Sequence, residues 1–474
     1  MLTTGECLLI EDVIVHFLLL TWVSSGHLTD EYIARLRERG FNSDKRILGG
    51  GIYKDIHFKM GLPVALRNTL SIEDIVISDE VKNELLENER KTVGPPLYTE
   101  MILKRDILRK TLIGRKMRAI IRVYPVGIAC IDIQLRLKTP LKVEELIAIV
   151  NSLIYVGIPL RLRLDQDSSN RIIIVSGIRE LGAFLQREYI NKFSIQYTDI
   201  FTILHVIKFS KSGGVELVNK YREDFKGLFI RAIRYYKGES DIVLKNQALE
   251  PFIIFRVTMP NAFLYVPMKK VHYTMEAADA FIFSPLEAAR CLFFALQTFN
   301  VKLNEVIKNF SRIYRGNVNL KQLNEALQEI ENLRYEIIRT IEYFRCYKFS
   351  LAFRARWYFD AASKAFTIDE LNMIIKNKLE DVATLVTRIY QLLDMIREKR
   401  LRVILSILNF FVAGTLAFKV IPVIINLLCL PFPSLVVPLV AVNILCLVGW
   451  LLIGLTGLLI IRRYGNVYLR RAKK

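Results

Sequence analysis

The chain has 474 residues, of which 52% are hydrophobic and 24% charged, with a mean hydropathy of +0.28. That balance argues against a single water-soluble domain and for two or three units. Lys and Arg total 67 against 47 Asp and Glu, a net charge of +20. Half of the excess falls from Arg397 onward, where 11 basic residues stand with Glu398 as the one acid.

Glu6, Glu11 and Asp12 precede the apolar run Phe17–Leu20. No basic stretch leads that run, so no secretory signal is expected. Helices are predicted over 10–23 and 29–39. Gly49, Gly50 and Gly51 lack the lysine and hydroxyl of a phosphate loop and read as a flexible connection. Residues 1–115 are expected to form an N-terminal accessory region.

Residues 116–285 carry a different pattern. Runs rich in β-branched residues at 118–124, 128–137, 160–164, 171–175, 200–209 and 252–257 predict strands, and 141–154, 178–192 and 217–235 predict helices. Alternation of the two predicts a cytosolic α/β domain covered by helices. Pro125 and Gly127 mark a break between strand pieces. Asp165, Asp167 and Ser168 read as a turn.

No catalytic residue is expected. His16, His27, His57, His205 and His272 have no hydrolase spacing, and the six cysteines contain no CxxC pair. Cys130 and His205 lie on predicted strands and read as core residues. Arg161, Arg163, Arg171, Arg179, Arg187, Arg231 and Arg234 would attract an anion, and a solvated or membrane-facing surface explains them equally well. No stacking motif accompanies them, so nucleic acid is not an expected partner.

Residues 286–402 predict a long helical bundle and stalk. One helix is expected near 286–313 and another after Asn319. A third opens on Thr367-Ile-Asp-Glu, which has the form of a capping box. Ile375, Leu379, Val382, Val386, Ile389, Leu393 and Ile396 then recur at alternating spacings of four and three, the pattern of a helical seam. The aromatic group from Tyr343 to Phe359 reads as packing.

From Val403 to Ile461 the only charged side chain is Lys419. The stretch has the length of two membrane crossings at about 20 residues each. Spans are predicted near 402–423 and 439–461, separated by Pro431, Pro433 and Pro438. Basic residues flank both ends, which predicts a multi-pass inner or plasma membrane protein with both termini cytoplasmic and a basic cytosolic tail at 462–474.

Two helices per chain enclose no path unless several chains combine. Ser406, Asn409, Ala413, Ala417 and Val420 form a small or polar strip expected to line a pore or an interface. Lys419 and Asn426 fall near one mouth of such a path, with Lys419 long enough to reach the interface.

In overall plan, residues 120–474 resemble the CorA-type metal-ion transporter superfamily. The resemblance rests on the α/β stretch, the long helices, the apolar hairpin and the basic tail from Arg462 to Lys474. It implies a CorA-like funnel, a homo-oligomer, in that family a pentamer, in a lipid bilayer, and a divalent cation or a cytosolic nucleotide as ligand. The family's Gly-Met-Asn signature is absent. The corresponding stretch runs from Phe418 to Asn426, and the following loop to Pro438 carries no acid. An oligomeric ion channel or transporter is therefore the leading expectation, and a membrane-anchored sensor or scaffold, antiviral effectors included, the next. A membrane-tethered enzyme ranks below both.

Overall fold

The computed structural model describes residues 8–23, 28–43, 65–77, 111–112, 115–156, 159–164, 172–190, 200–231, 244–267, 278–315, 320–429 and parts of 441–455. The Gly49–Gly51 connection, the Asp165–Ser168 turn, Arg171, Arg234 and the basic tail lie outside them. The chain divides into two compact units, Met1–Val306 with Glu331–Leu379, and Ile307–Ile330 with Glu380–Lys474. It is a mixed α/β domain followed by a long helical stalk with one candidate membrane-spanning helix.

Among the described residues the first unit is built on one eleven-stranded sheet. Its strands are β1 (Leu9–Trp22), β2 (Asn42–Ser43), β3 (Leu66–Ile77), β4 (Met117–Val123), β5 (Ile128–Leu137), β6 (Leu141–Lys142), β7 (Pro159–Leu164), β8 (Ile172–Ser176), β9 (Phe201–Phe209), β10 (Ile254–Val257) and β11 (Asn261–Tyr265). They run in the order β10-β11-β9-β1-β5-β4-β3-β7-β8, with β2 on β3 and β6 on β1. All pairs are antiparallel except β11 with β9.

The segment expected as a helix over 10–23 is the strand β1. Its β-branched run Val13-Ile14-Val15 suits a pleated strand, and its place between β5 and β9 buries both faces. A strand buried on both sides is apolar at every position and loses the period of two that identifies a half-exposed one. Residues 1–115 thus supply β1 and β3 to the same sheet as the α/β stretch. The break at Pro125 is a tight hairpin, in which Gly127 takes φ +81° and donates its amide to the Tyr124 carbonyl at 2.9 Å.

Helices α1 (Asp30–Glu38), α2 (Val143–Asn151), α3 (Gly177–Leu185), α4 (Glu216–Lys220) and α5 (Arg222–Ile230) belong to this unit. Of these, α2 and α3 pack on β1, α3 also on β5, and α5 on β11. They bury the side that carries Val15, Phe17, Ile131, Ile133 and Leu204. The opposite side meets α6 (Ser284–Arg315), entered through a π-turn at Asp279–Phe283. There Phe283 lies 4.7 Å from the His16 ring, and the Trp22 indole donates to Thr298 Oγ1 at 3.2 Å.

Three further helices follow, α7 (Leu320–Ser350), α8 (Phe353–Ala365) and α9 (Ile368–Cys429). Part of the aromatic group packs as expected: Phe344, Tyr347, Tyr358 and Phe359 are buried, whereas Phe349 and Phe353 are exposed. Thr367 does not act as the extended cap its sequence suggests. Its φ of +52° makes it a left-handed joint between α8 and α9. Along α9, Ile375, Val382, Ile389 and Leu393 are buried and Leu379, Val386 and Ile396 half-buried, so the seam is partly covered within one chain.

The expected multi-pass placement is corrected by the structure. Among the described residues one helix, Ile368–Ile424, is long and apolar enough to cross a membrane, and its most apolar window is only 6% buried. Of the second expected span, 439–461, the residues described, which fall between 441 and 455, are helical, and the rest of it lies outside the described residues. One such helix among the described residues does not supply the two crossings that a multi-pass placement needs. The two-sided topology drawn from it, with both ends in the cytoplasm, falls with it.

Candidate functional site

Strand alternation puts polar side chains on the α6 side of the sheet. Ser71 faces Arg118, Arg118 faces Gln134, and Gln134 faces His16 across β3, β4, β5 and β1. This row runs from exposed Ser71 and Arg118 through half-buried Gln134 to buried His16.

At its inner end, His16 Nδ1 stands 3.2 Å from both oxygens of Asp132, and Gln134 Nε2 donates to Asp132 Oδ2 at 2.7 Å. Burial alone would raise the Asp132 carboxyl. The charge and hydrogen bond of His16, with help from Arg122 and Gln134, hold it below the usual carboxylate range. Arg122 makes a buried ion pair with Glu287 of α6, which also accepts from the Tyr124 hydroxyl at 3.0 Å. Asp279, in the π-turn, is pushed up by burial, against the pull of Arg122.

His205 is pushed down to about 3 by burial and by the proximity of His16 and Arg136, so it is neutral at ordinary pH. Its Nδ1, like His16 Nε2, finds no hydrogen-bond partner among the described residues. Cys130 hydrogen-bonds Cys291 of α6, and burial raises both thiols. Cys130 and His205 are core residues, as their sequence context predicts. This network fixes charges between the sheet and α6.

The outer end of the row opens into a groove of about 390 Å³ whose lining includes Ile14, Thr69, Ser71, Arg118, Gln134 and Arg136. Arg136 is held by Asp12 through hydrogen bonds of 3.0 and 2.6 Å. Of the arginines marked in the sequence, Arg161 and Arg163 are exposed on β7, and Arg179 and Arg187 on or just after α3. Arg231 is buried instead, donating to Thr202 Oγ1 at 3.1 Å and to the Tyr155 hydroxyl at 2.9 Å.

The residues expected to line a pore lie on α9. Ser406 and Ala413 are half-buried, whereas Asn409, Lys419 and Val420 are exposed. The side chains of Ala417 and Asn426 lie outside the described residues. Beside this strip, Trp450 stacks on Phe410 with ring centroids 4.4 Å apart and donates its indole N–H to the Phe410 carbonyl at 3.1 Å. Thr415 returns its hydroxyl to the carbonyls of Phe411 and Val412.

Sequence reasoning missed His16, Asp132 and Glu287. Each is a charged or titratable residue set inside an apolar run, Val13–Leu20, Ile128–Leu135 and Leu286–Leu296, and that contrast is the signal that marks it. Among the described residues no group of three or more His, Cys, Asp or Glu is placed to hold a metal ion. Comparison of the chain with protein families, curated proteins and solved structures finds no match.

Proposed function

We propose that this protein is the subunit of a membrane-embedded homo-oligomer that conducts ions, with its α/β domain as the regulatory part. Asn409 carries this reading. It stands exposed on α9 among Leu405, Leu408 and Val412, in the segment apolar enough to cross a bilayer. A bare amide in hydrocarbon is expensive, so it is stabilised by facing a second copy or a water-filled path. The resemblance to CorA-type transporters supplies the first cargo to test, a divalent cation, and the first subunit number, five. Lys419 counts against a divalent cation if it faces the path, because its charge repels one.

Protein reconstituted into vesicles is expected to pass ions, and Asn409→Leu to change the flux at least several-fold. Flux absent from the intact oligomer, under a range of cations and candidate ligands, would remove conduction. A second reading, a membrane-anchored sensor without a path, is favoured by the contact of Trp450 with the Phe410 backbone, which fills one side of α9 with a bulky ring. It is the reading that survives if the oligomer forms and no ion crosses.

A further inference from the structure

We propose that the groove on the α6 side of the sheet binds a small phosphorylated molecule. The groove belongs to the α/β domain alone, so this goes beyond the conduction reading and does not depend on it.

Its lining combines the donors that a phosphate group takes. Arg118 presents a planar fork of N–H groups and Lys116 a point charge. Thr69 and Ser71 add hydroxyls from the neighbouring strand, and Gln134 an amide at the floor. Among its lining residues there is no carboxylate. Asp12 engages Nε and Nη2 of Arg136, and the other guanidinium hydrogens point elsewhere than at Asp12. With Asp12 set against Arg136, the guanidinium of Arg118 still leaves the lining positive.

Two features separate this groove from a merely basic surface. Arg118 is exposed yet set between Ser71 and Gln134 by strand register, so its position is fixed by the sheet and not by a loop. Gln134 is held by its hydrogen bond to Asp132, which in turn is held by His16, so the floor is pre-organised before any ligand arrives. The volume, about 390 Å³, lies at the small end of the range for small-molecule sites, about 300–1,000 Å³. That suits a compact phosphate ester, not a polymer.

The test is calorimetric titration of the full-length protein in nanodiscs with inorganic pyrophosphate. The expected result is saturable binding at one site per chain, weakened about tenfold or more by Arg118→Gln and less by Arg118→Lys, which keeps the charge but not the fork. Ser71→Ala, a smaller change at the same site, is expected to weaken binding measurably and leaves folding unaffected because Ser71 is exposed. Lys376→Gln, an exposed substitution on α9, is expected to leave binding unchanged. Nanodiscs with and without phosphatidic acid identify the source: competition by the lipid assigns a headgroup, and unchanged affinity a soluble ester. No saturable binding, equal weakening by Lys376→Gln, or a preference for single-stranded RNA over pyrophosphate that ignores Arg118, overturns the proposal. Ion flux measured on the same variants reports separately on conduction.

Discussion

Trp450 lies directly over Gly414. A Cβ built on Gly414 would stand 2.6 Å from Cδ1 and 2.8 Å from Cε2 of the indole, well inside contact distance. The helix surface is indented at this one position to receive the ring, and the indole N–H reaches the Phe410 carbonyl one turn earlier. Gly414→Ala is expected to destabilise this packing by about 1–3 kcal/mol, the usual cost of overfilling a tight contact. Thermal unfolding in detergent would show it as a lowered midpoint. In a Trp450→Ala background the same substitution should be close to neutral, and an equal loss in both backgrounds would mean that the ring is not what fills the space.

Arg122 and Glu287 are a second close pair. Both side chains are almost completely buried, at 2% and 3% exposure. Removing one partner leaves an uncompensated charge, and Glu287→Ala is expected to cost about 3–5 kcal/mol. Replacing both, as Arg122→Met with Glu287→Leu, should recover most of that loss, because two apolar side chains need no counter-charge. Urea unfolding followed by tryptophan fluorescence separates the two outcomes.

His205 gives the fold a defined acid response. Its folded-state value of about 3 lies below the ordinary 6.5, so between these values the unfolded chain takes up a proton that the folded chain refuses. Stability from this group is present above pH 6.5 and is lost as pH falls toward 3, at about 1.4 kcal/mol per pH unit within the window. His205→Phe, which suits the T-shaped contact with Phe283 at 5.0 Å, should flatten the dependence by about one proton between pH 4 and 6. An unchanged slope would place the response elsewhere.

The buried thiols answer to chemical modification. Burial raises Cys130 and Cys291 and keeps them in the unreactive thiol form. In a variant with Cys7, Cys346, Cys429 and Cys446 replaced by Ser, iodoacetamide at pH 8 should leave the native protein unlabelled and label both thiols in urea. Rapid labelling of the native form would contradict the burial of either.

Much of this architecture is written in local pattern. The strands β4, β5, β7, β8 and β9 and the long helices α6, α7 and α9 fall where β-branched runs and the three-four seam place them. The two strands that organise the sheet were harder to read. β1 is largely apolar on both faces, so it has no clear alternation, and β3, Leu66–Ile77, interleaves Arg67, Thr69 and Ser71 with its apolar residues because one of its faces is the polar side of the sheet. The seam of α9 was legible as a seam, but what it packs against is a matter of tertiary contact. Burial of Val382 and Ile389 within a single chain removes part of the surface that a subunit bundle would have used. The polar row from Ser71 to His16 joins four strands, with β3 and β5 more than fifty residues apart in the chain, and only their register brings it together.

The position of β1 has a consequence for biosynthesis. It is the innermost partner of β5 and β9, whose residues leave the ribosome more than 100 and nearly 200 positions later. A fourteen-residue strand, apolar along most of its length, must wait unpaired during that interval, and such waiting segments invite aggregation or capture by chaperones. The apolar stretch of α9 is translated only after the sheet has its full complement of strands. Synthesis thus presents two apolar segments at widely separated times, β1 for pairing within the sheet and, much later, the stretch of α9 that is apolar enough to cross a membrane.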